Sequence, residues 1–304
     1  MDTVSLNLSN MDNISDNDSI NIARTIDDYF IIEQVGDGGQ GTVYKAKRKD
    51  DGVLVALKVM RLFPDTPEYE DAVRETEVLE RISNPECNTF LSCYYGHSYD
   101  EEQKMFLVEM EYIEGVTLDK YAQKLFDSGL YDKLYRHLLL IIKDLTLGLE
   151  RVHYRDILHN DIKPQNIIIN NQMIPKLVDF GLSCLTYKTE EPCYIDNSFI
   201  SCCRGTDGSP IYSPPEMYKD RIRYKSSDIW SLGVTIYNAA TGGYYPFSLS
   251  NTKESLARII INSEPKKLQT YNDLLDNLVN SMLVKDPRNR ITLNQIIDRL
   301  ENYN

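Results

Sequence analysis

The sequence predicts an α+β fold in two lobes, a strand-rich first third followed by a helical remainder. Three observations carry that expectation. Period-two alternation between turn residues runs from Tyr29 to Met60, and apolar stripes of helical period dominate from Leu134 onward. The 304 residues also exceed the usual reach of a single core.

Residues 1–26 precede the patterned region. They are rich in Asn, Asp and Ser, and residues 1–30 carry six acids against Arg24 alone. That composition predicts a disordered acidic tail, either an inert leader or a regulatory segment. The folded domain is expected over 27–304.

Residues 29–35 and 42–46 read as strands flanking a glycine-rich turn, and Asp51-Gly52 marks a hairpin turn into a third strand over 53–60. Alternation there puts Leu54, Ala56, Lys58 and Met60 on one face. A small alanine beside a lysine on one face suits a flat base with phosphates farther along. Residues 68–82 read as a helix. Leu79 and Ile82 lie four and seven residues after Glu75, so Glu75 is expected to point inward and Glu77 to face water. An apolar strand follows over 105–113. Leu134, Leu138, Ile141, Leu145, Leu149 and Val152 then form one long helical stripe. Further helices are expected over 228–240, 273–284 and 293–301. The last opens on the capping box Thr292-x-x-Gln295, and Pro287 closes the one before it.

A net charge of −13 argues against a nucleic-acid partner, which would need a basic patch. The longest aliphatic run, 138–142, is far short of the roughly 20 residues that span a bilayer, and the first residues lack the pattern of a secretory leader. No membrane partner is expected. The N-x-S/T matches at Asn7, Asn13 and Asn17 then reflect Asn-rich composition. Six cysteines in a chain this long do not suggest a disulfide framework, so free thiols and a cytoplasmic location are expected.

The densest chemistry lies in H-N-D-I-K-P-Q-N, His159–Asn166, followed by D-F-G at Asp179–Gly181. An acid, a lysine, an amide and a second acid in this order suit phosphoryl transfer from a magnesium-bound nucleotide to a hydroxyl. Upstream, Gly36-Asp37-Gly38-Gly39-Gln40-Gly41 satisfies G-x-G-x-x-G. Alone, this reads as an ordinary hairpin turn. Its place between two strands separates it from the dinucleotide turn, which runs from strand to helix, and its glycines let backbone N–H groups approach phosphates.

Together these motifs are similar to the protein-kinase signature set, and the chain resembles a eukaryotic-type protein kinase of the serine/threonine branch over about residues 29–301. The resemblance implies a bilobal protein-kinase-like fold. A small β-rich N-lobe with one main helix (27–110) would lead through a hinge (111–115) to a larger helical C-lobe (116–304). By the same resemblance, Lys58 of V-A-L-K contacts the α/β-phosphates and pairs with Glu75. Asp161 is the catalytic base, Lys163 neutralises the moving phosphoryl group, and Asn166 and Asp179 hold Mg2+. ATP would sit under Val35, Gly36, Asp37, Gly38, Gly39, Gln40, Gly41, Thr42 and Val43, against Ala56 and the gatekeeper Met110. Glu111, Tyr112 and Ile113 would read the adenine edge, and Ile168 would close the floor. The segment from Gly208 to Glu216, ending P-P-E, is similar to a substrate-docking segment. Asp228-x-Trp230-Ser231-x-Gly233 is similar to a buried central helix, and Arg290 of Asp286-Pro287-x-x-Arg290 would pair with Glu216. The implied activity is ATP-dependent phosphorylation of protein Ser/Thr hydroxyls by a monomer, with Lys163-Pro164 and Ser209 favouring Ser/Thr over Tyr.

Asn160 departs from the pattern, which commonly has an arginine that pairs with a phosphorylated activation loop. A neutral amide cannot supply that charge-assisted contact, so activity is not expected to depend on loop phosphorylation through this pocket. Cys184, Cys193, Cys202 and Cys203 lie in the segment from Asp179 to Glu216 without C-x-x-C spacing or a histidine, so they read as free thiols rather than a metal knuckle or redox switch. These departures, with P-P-E, motivate an alternative, a nucleotide-binding pseudokinase scaffold. A small-molecule kinase, the third reading, gives no reason for Glu216 and Arg290.

Overall fold

The structure is a computed structural model that describes residues 24–38, 41–188, 193–195, 198–205 and 208–302. Most of the expected tail, along with Gly39 and Gln40, lies outside the described residues.

Five strands build the first lobe: β1 (Tyr29–Gly38), β2 (Gly41–Arg48), β3 (Leu54–Arg61), β4 (Tyr94–Asp100) and β5 (Met105–Glu111). They form one antiparallel sheet in the order β1-β2-β3-β5-β4. Helix α1 (Pro67–Ser83) starts where Thr66 Oγ1 accepts the Tyr69 amide at 3.3 Å, with Pro67 in the first turn. Its buried stripe is Ala72, Glu75, Val78, Leu79 and Ile82, which packs with Met60, Phe106 and Val108 of the sheet.

The outer face of the sheet is covered as well. Tyr29, Ala46, Val55, Leu57 and Leu107 form a second, smaller core, so the β3 side chains opposite Lys58 are buried while Leu54 is exposed. Within that face Glu109 is fully buried. Its carboxylate accepts the Tyr29 hydroxyl at 2.6 Å and Arg48 Nε at 2.8 Å, with Arg24 at 3.7 Å. A buried carboxylate is retained only with such partners.

The second lobe opens with β6 (Gly115–Thr117), α2 (Leu118–Asp127), α3 (Tyr131–Tyr154), β7 (Ile157–Leu158), β8 (Ile167–Asn170) and β9 (Pro175–Leu177). The expected stripe of α3 is buried throughout, none of its six residues being more than 2% exposed. Short strands follow, namely β10 (Cys184–Leu185), β11 (Cys193–Ile195), β12 (Ser198–Ile200) and β13 (Cys202–Arg204). Then come α4 (Pro215–Asp220), β14 (Ile222–Tyr224), α5 (Lys225–Ala240), α6 (Lys253–Asn262), α7 (Asp273–Met282) and α8 (Leu293–Glu301). Helix α5 is buried along almost its whole length and forms the centre of the lobe. The capping box of α8 is present, with Thr292 Oγ1 accepting the Gln295 amide at 3.3 Å and Gln295 Oε1 the Thr292 amide at 3.0 Å. The α+β, two-lobed expectation holds. Among the described residues no helix is long and apolar enough to cross a membrane.

Two expectations need correction. Glu77 is not simply solvated, since it accepts Arg81 at 3.4 Å and the Tyr187 hydroxyl at 3.1 Å. The cysteines are not free thiols either. They pair as Cys87–Cys93, Cys184–Cys203 and Cys193–Cys202, with Cα separations of 5.3, 6.3 and 6.1 Å. The spacing rule looked for close pairs along the chain. Strand β13 instead turns the adjacent Cys202 and Cys203 to opposite faces, so each reaches a different distant partner.

Candidate active site

The loop between β7 and β8 is pinned from below by α5. The buried Asp228 carboxylate accepts the His159 and Asn160 amides, both at 3.0 Å, and His153 Nε2 at 2.9 Å. Burial pushes the Asp228 carboxyl up, but these bonds and the two nearby imidazoles outweigh it and hold the group below the usual carboxylate range. Asn160 adopts a left-handed φ of 67°, which asparagine tolerates, and the chain turns sharply into Asp161.

Asp161 is almost fully buried and receives donors from three directions. Its Oδ1 accepts the Ser209 amide at 2.9 Å, and its Oδ2 accepts Lys163 Nζ at 2.6 Å and Asn166 Nδ2 at 3.1 Å. Burial pushes this carboxyl up, whereas Lys163 and Ser209 more than offset it and leave the group below its ordinary value. Lys163 also donates to Ser209 Oγ at 3.2 Å. Asp161, Lys163, Asn166 and Ser209 are therefore one hydrogen-bonded cluster.

Asp179, by contrast, is exposed, with a left-handed φ of 63° and one weak contact from the Gly181 amide at 3.4 Å. Strained non-glycine residues of this kind concentrate at functional sites. The next residue, Phe180, is 1% exposed and packs edge-on against His159 at 4.7 Å between ring centres, which orients the D-F-G turn. In the first lobe, Lys58 Nζ donates to both Glu75 oxygens, at 2.8 and 2.6 Å. Burial raises the Glu75 carboxyl, Lys58 pulls it back, and the Asp179 charge raises it further.

The glycine-rich turn joins β1 to β2 with Gly36 opposite Val43, Asp37 opposite Thr42 and Gly38 opposite Gly41. Gly41 is required. Its φ is +126°, and a Cβ there would meet Met60 Cγ at 2.5 Å and the Val59 oxygen at 2.8 Å. Val35 is exposed at the edge of the turn, and half-buried Ala56 lies between Lys45 and Met110 in the sheet. The Glu111 side chain accepts Lys176 Nζ at 2.8 Å and the Cys93 amide at 3.3 Å, and its own amide donates to the Cys93 carbonyl at 2.8 Å, so neither its side chain nor its amide is left to meet a ligand. Tyr112 lies beneath Lys45 at 4.7 Å, Ile113 is buried, and half-buried Ile168 sits on β8 between Thr117 and Lys176.

This donor set fits a magnesium nucleotide. Asn166 Nδ2 donates to the Asp161 carbonyl at 2.9 Å and to its carboxylate at 3.1 Å, so Oδ1 is the atom left to meet a metal, and the Asp179 carboxylate is exposed. Mg2+ commonly takes one or two protein oxygens and completes its shell with phosphates and water. Among the described residues no group of three or more His, Cys, Asp or Glu offers an all-protein cage.

On the acceptor side, Gly208 has φ +114°, and a Cβ would meet the Asn160 oxygen at 2.8 Å and Arg223 Nη2 at 2.9 Å. Arg290 is buried over Trp230 and donates to Glu216 at 2.8 and 3.1 Å, while Ser227 Oγ adds 2.8 Å to the same carboxylate. Sequence reasoning missed His153, Ser213, Arg223 and Tyr187. The Arg223 and Ser213 contacts arise from the short β13–β14 pairing, which has no periodic signature, whereas His153 acts from α3 on Asp228 and Tyr187 reaches Glu77 of α1. The vicinal Cys202-Cys203 pair was the one available signal.

The model of the protein kinase domain matches residues 29–300. The chain is similar to the serine/threonine-protein kinase KIC1 of Saccharomyces cerevisiae, at 30% identity over 272 residues covering 87% of this chain and 23% of that protein. It is similar to human serine/threonine-protein kinase Nek5 at 30% identity over 286 residues, 91% of this chain and 37% of Nek5. The MAP kinase kinase MKK1/SSP32 of S. cerevisiae shares 29% identity over 276 residues, 87% of this chain and 51% of its own. The chain thus spans well under half the length of the first two relatives.

Proposed function

Because the chain belongs to the protein kinase domain family, we propose that it transfers the γ-phosphoryl group of ATP to serine or threonine hydroxyls of proteins. The observation that carries this reading is the Asp161 cluster, in which Lys163, Asn166 and Ser209 converge on one carboxylate.

In this reading Asp161 accepts the proton of the incoming hydroxyl as the oxygen attacks phosphorus. Its depressed affinity for protons keeps it ionised and able to orient the hydroxyl. Lys163, on the Asp161–Ser209 side, offsets charge on the moving phosphoryl group. Lys58, braced by Glu75, holds the α/β-phosphates, and backbone amides of the glycine-rich turn at 36–38 and 41 line the phosphates. Asn166 and Asp179 hold Mg2+, which when bound neutralises phosphate charge. The small lobe through Met110, the 111–115 hinge and the large lobe from Val116 form the catalytic domain, and residues before it an acidic tail. A monomer belongs to this reading. A cytoplasmic location belongs to the reading because ATP is an intracellular substrate.

The scaffold alternative draws no support from the site, where Lys58, Glu75, Asp161, Asn166 and Asp179 are all present. The test is transfer of labelled γ-phosphate to a Ser/Thr peptide library and a generic basic protein, with Asp161→Asn as control. Phosphoserine or phosphothreonine from the native chain alone is the expected product. Binding of nucleotide without transfer under both Mg2+ and Mn2+ would replace this reading with the scaffold.

A further inference from the structure

We propose that the Cys184–Cys203 disulfide is a positioning element of the phosphotransfer site, so that a dithiol reductant lowers turnover by opening it. The proposal rests on the kinase reading above and names a covalent control of that same site.

The disulfide closes a ring of contacts around the proposed base. On one side, Asn160, adjacent to Asp161, donates from Nδ2 to Cys184 Sγ at 3.2 Å and to the Leu182 carbonyl at 3.1 Å. Cys184 is bonded to Cys203 of β13, whose register partner on β14 is Arg223. Arg223 donates to the Asn160 carbonyl at 3.4 Å and to Ser213 Oγ at 3.1 Å. Ser213 Oγ donates to the Ser209 carbonyl at 3.3 Å, and the Ser209 amide returns to Asp161 Oδ1 at 2.9 Å. One arm of the ring ends on Asp161 itself and the other on Asn160, the residue before it, and the disulfide is the covalent cross-link between them.

Two further contacts hold the same segment. Cys193–Cys202 grips the opposite face of β13. Tyr187 donates to Glu77 at 3.1 Å beneath Arg81, at 4.9 Å from the ring, and so joins the segment to the helix that carries Glu75. Asn160 is neutral, so none of this order comes from an ion pair at that position. Cys184 is half-buried and Cys203 is buried, so attack comes from the Cys184 side. Disulfides in reducing compartments are usually transient and redox-sensing.

The step balances as ordinary exchange. A thiolate of the dithiol attacks Cys184 Sγ and breaks the bond to Cys203, whose thiolate leaves and takes a proton. The second thiol of the reagent then displaces Cys184 as a thiol. Two electrons and two protons pass to the protein, and the reagent departs as a cyclic disulfide.

The test uses the full chain before and after dithiothreitol, with thiol labelling and mass spectrometry to assign each cysteine. A peptide assay gives kcat and KM, and a fluorescent ATP analogue reports nucleotide binding. Reduction should lower kcat about tenfold, the scale on which small misplacements act. Oxidised glutathione should restore it, with little change in nucleotide affinity. The Cys184→Ser/Cys203→Ser variant should sit at the reduced level and ignore both reagents, while Cys87→Ser should keep the native ratio of oxidised to reduced activity. Unchanged kcat with Cys184 and Cys203 labelled as thiols overturns the proposal. So does parallel loss of nucleotide binding, or labelling of both thiols in untreated active enzyme. If the oxidised chain transfers no phosphate at all, the kinase reading falls instead. Hydrogen exchange over 182–185 and 202–205 then decides separately, since reduction must accelerate it for the positioning role to stand.

Discussion

Lys58 Nζ lies 2.6 Å from Glu75 Oε2, with both side chains almost wholly shielded from water. The contact joins the middle of the five-stranded sheet to helix α1 packed on it, so it fixes a buried cation and braces the lobe at once. Replacing Lys58 with Met removes the cation and strands a buried carboxylate. Turnover should fall by about 10² or more, the scale of losing one preorganised charge. Adding Glu75→Leu should recover the melting temperature without recovering activity. Recovery of both would mean that the lysine acts only as a structural partner.

The pH profile should report Asp161. Its carboxyl is depressed and the working form is ionised, so kcat/KM should stay flat on the acid side from neutrality to about pH 5 and fall only below the ordinary carboxylate value near 4. Lys163→Ala removes the strongest stabilising donor and leaves burial opposed only by the Ser209 and Asn166 donors, which should move that acid limb upward. An acid limb near pH 7 in the native enzyme would point to a different base.

Arg290 is fully buried with Glu216, and removing one partner leaves an uncompensated charge. Arg290→Ala should cost about 3–5 kcal/mol in chemical denaturation. The double change Arg290→Met/Glu216→Leu should cost much less, and a double-mutant cycle separates the two outcomes.

Gly208 sits where a methyl group would press on the Asn160 carbonyl and on Arg223. Gly208→Ala should shift the neighbouring Ser209 amide off Asp161 and lower kcat by about tenfold to a hundredfold, with the KM for ATP nearly unchanged. Steady-state kinetics in both substrates measures the split.

Asn160 has its amide spent on Leu182 and Cys184, and it carries no charge for a phosphate. Treatment with a protein phosphatase should leave the initial rate within about twofold of the untreated enzyme, because the charge-assisted contact is missing. A large drop would require another phosphate-binding group.

Legibility in the sequence followed physical range. Periodicity located β1 to β3, α1, α3 and α8, because one buried stripe decides each of them, and Glu75 could be separated from Glu77 by wheel angle alone. The residues of the H-N-D-I-K-P-Q-N loop were readable because their chemistry is local in the chain. The cysteine pairing and the Arg223 contacts were not, since they depend on a three-residue strand pair that brings residues 202–204 against 222–224. Helices α2 and α6 also escaped; the shorter α8 was marked by its capping box, which neither α2 nor α6 carries.

The fully covered Glu109 has a practical consequence for anyone cutting this chain. Two of its partners, Arg24 and Tyr29, come from the stretch leading into the first strand, and Ser98 Oγ also clasps the Arg24 carbonyl at 2.6 Å. A fragment begun at residue 27 discards that clasp and one of the guanidinium groups over the acid, so the smallest well-behaved recombinant piece should start ahead of Arg24.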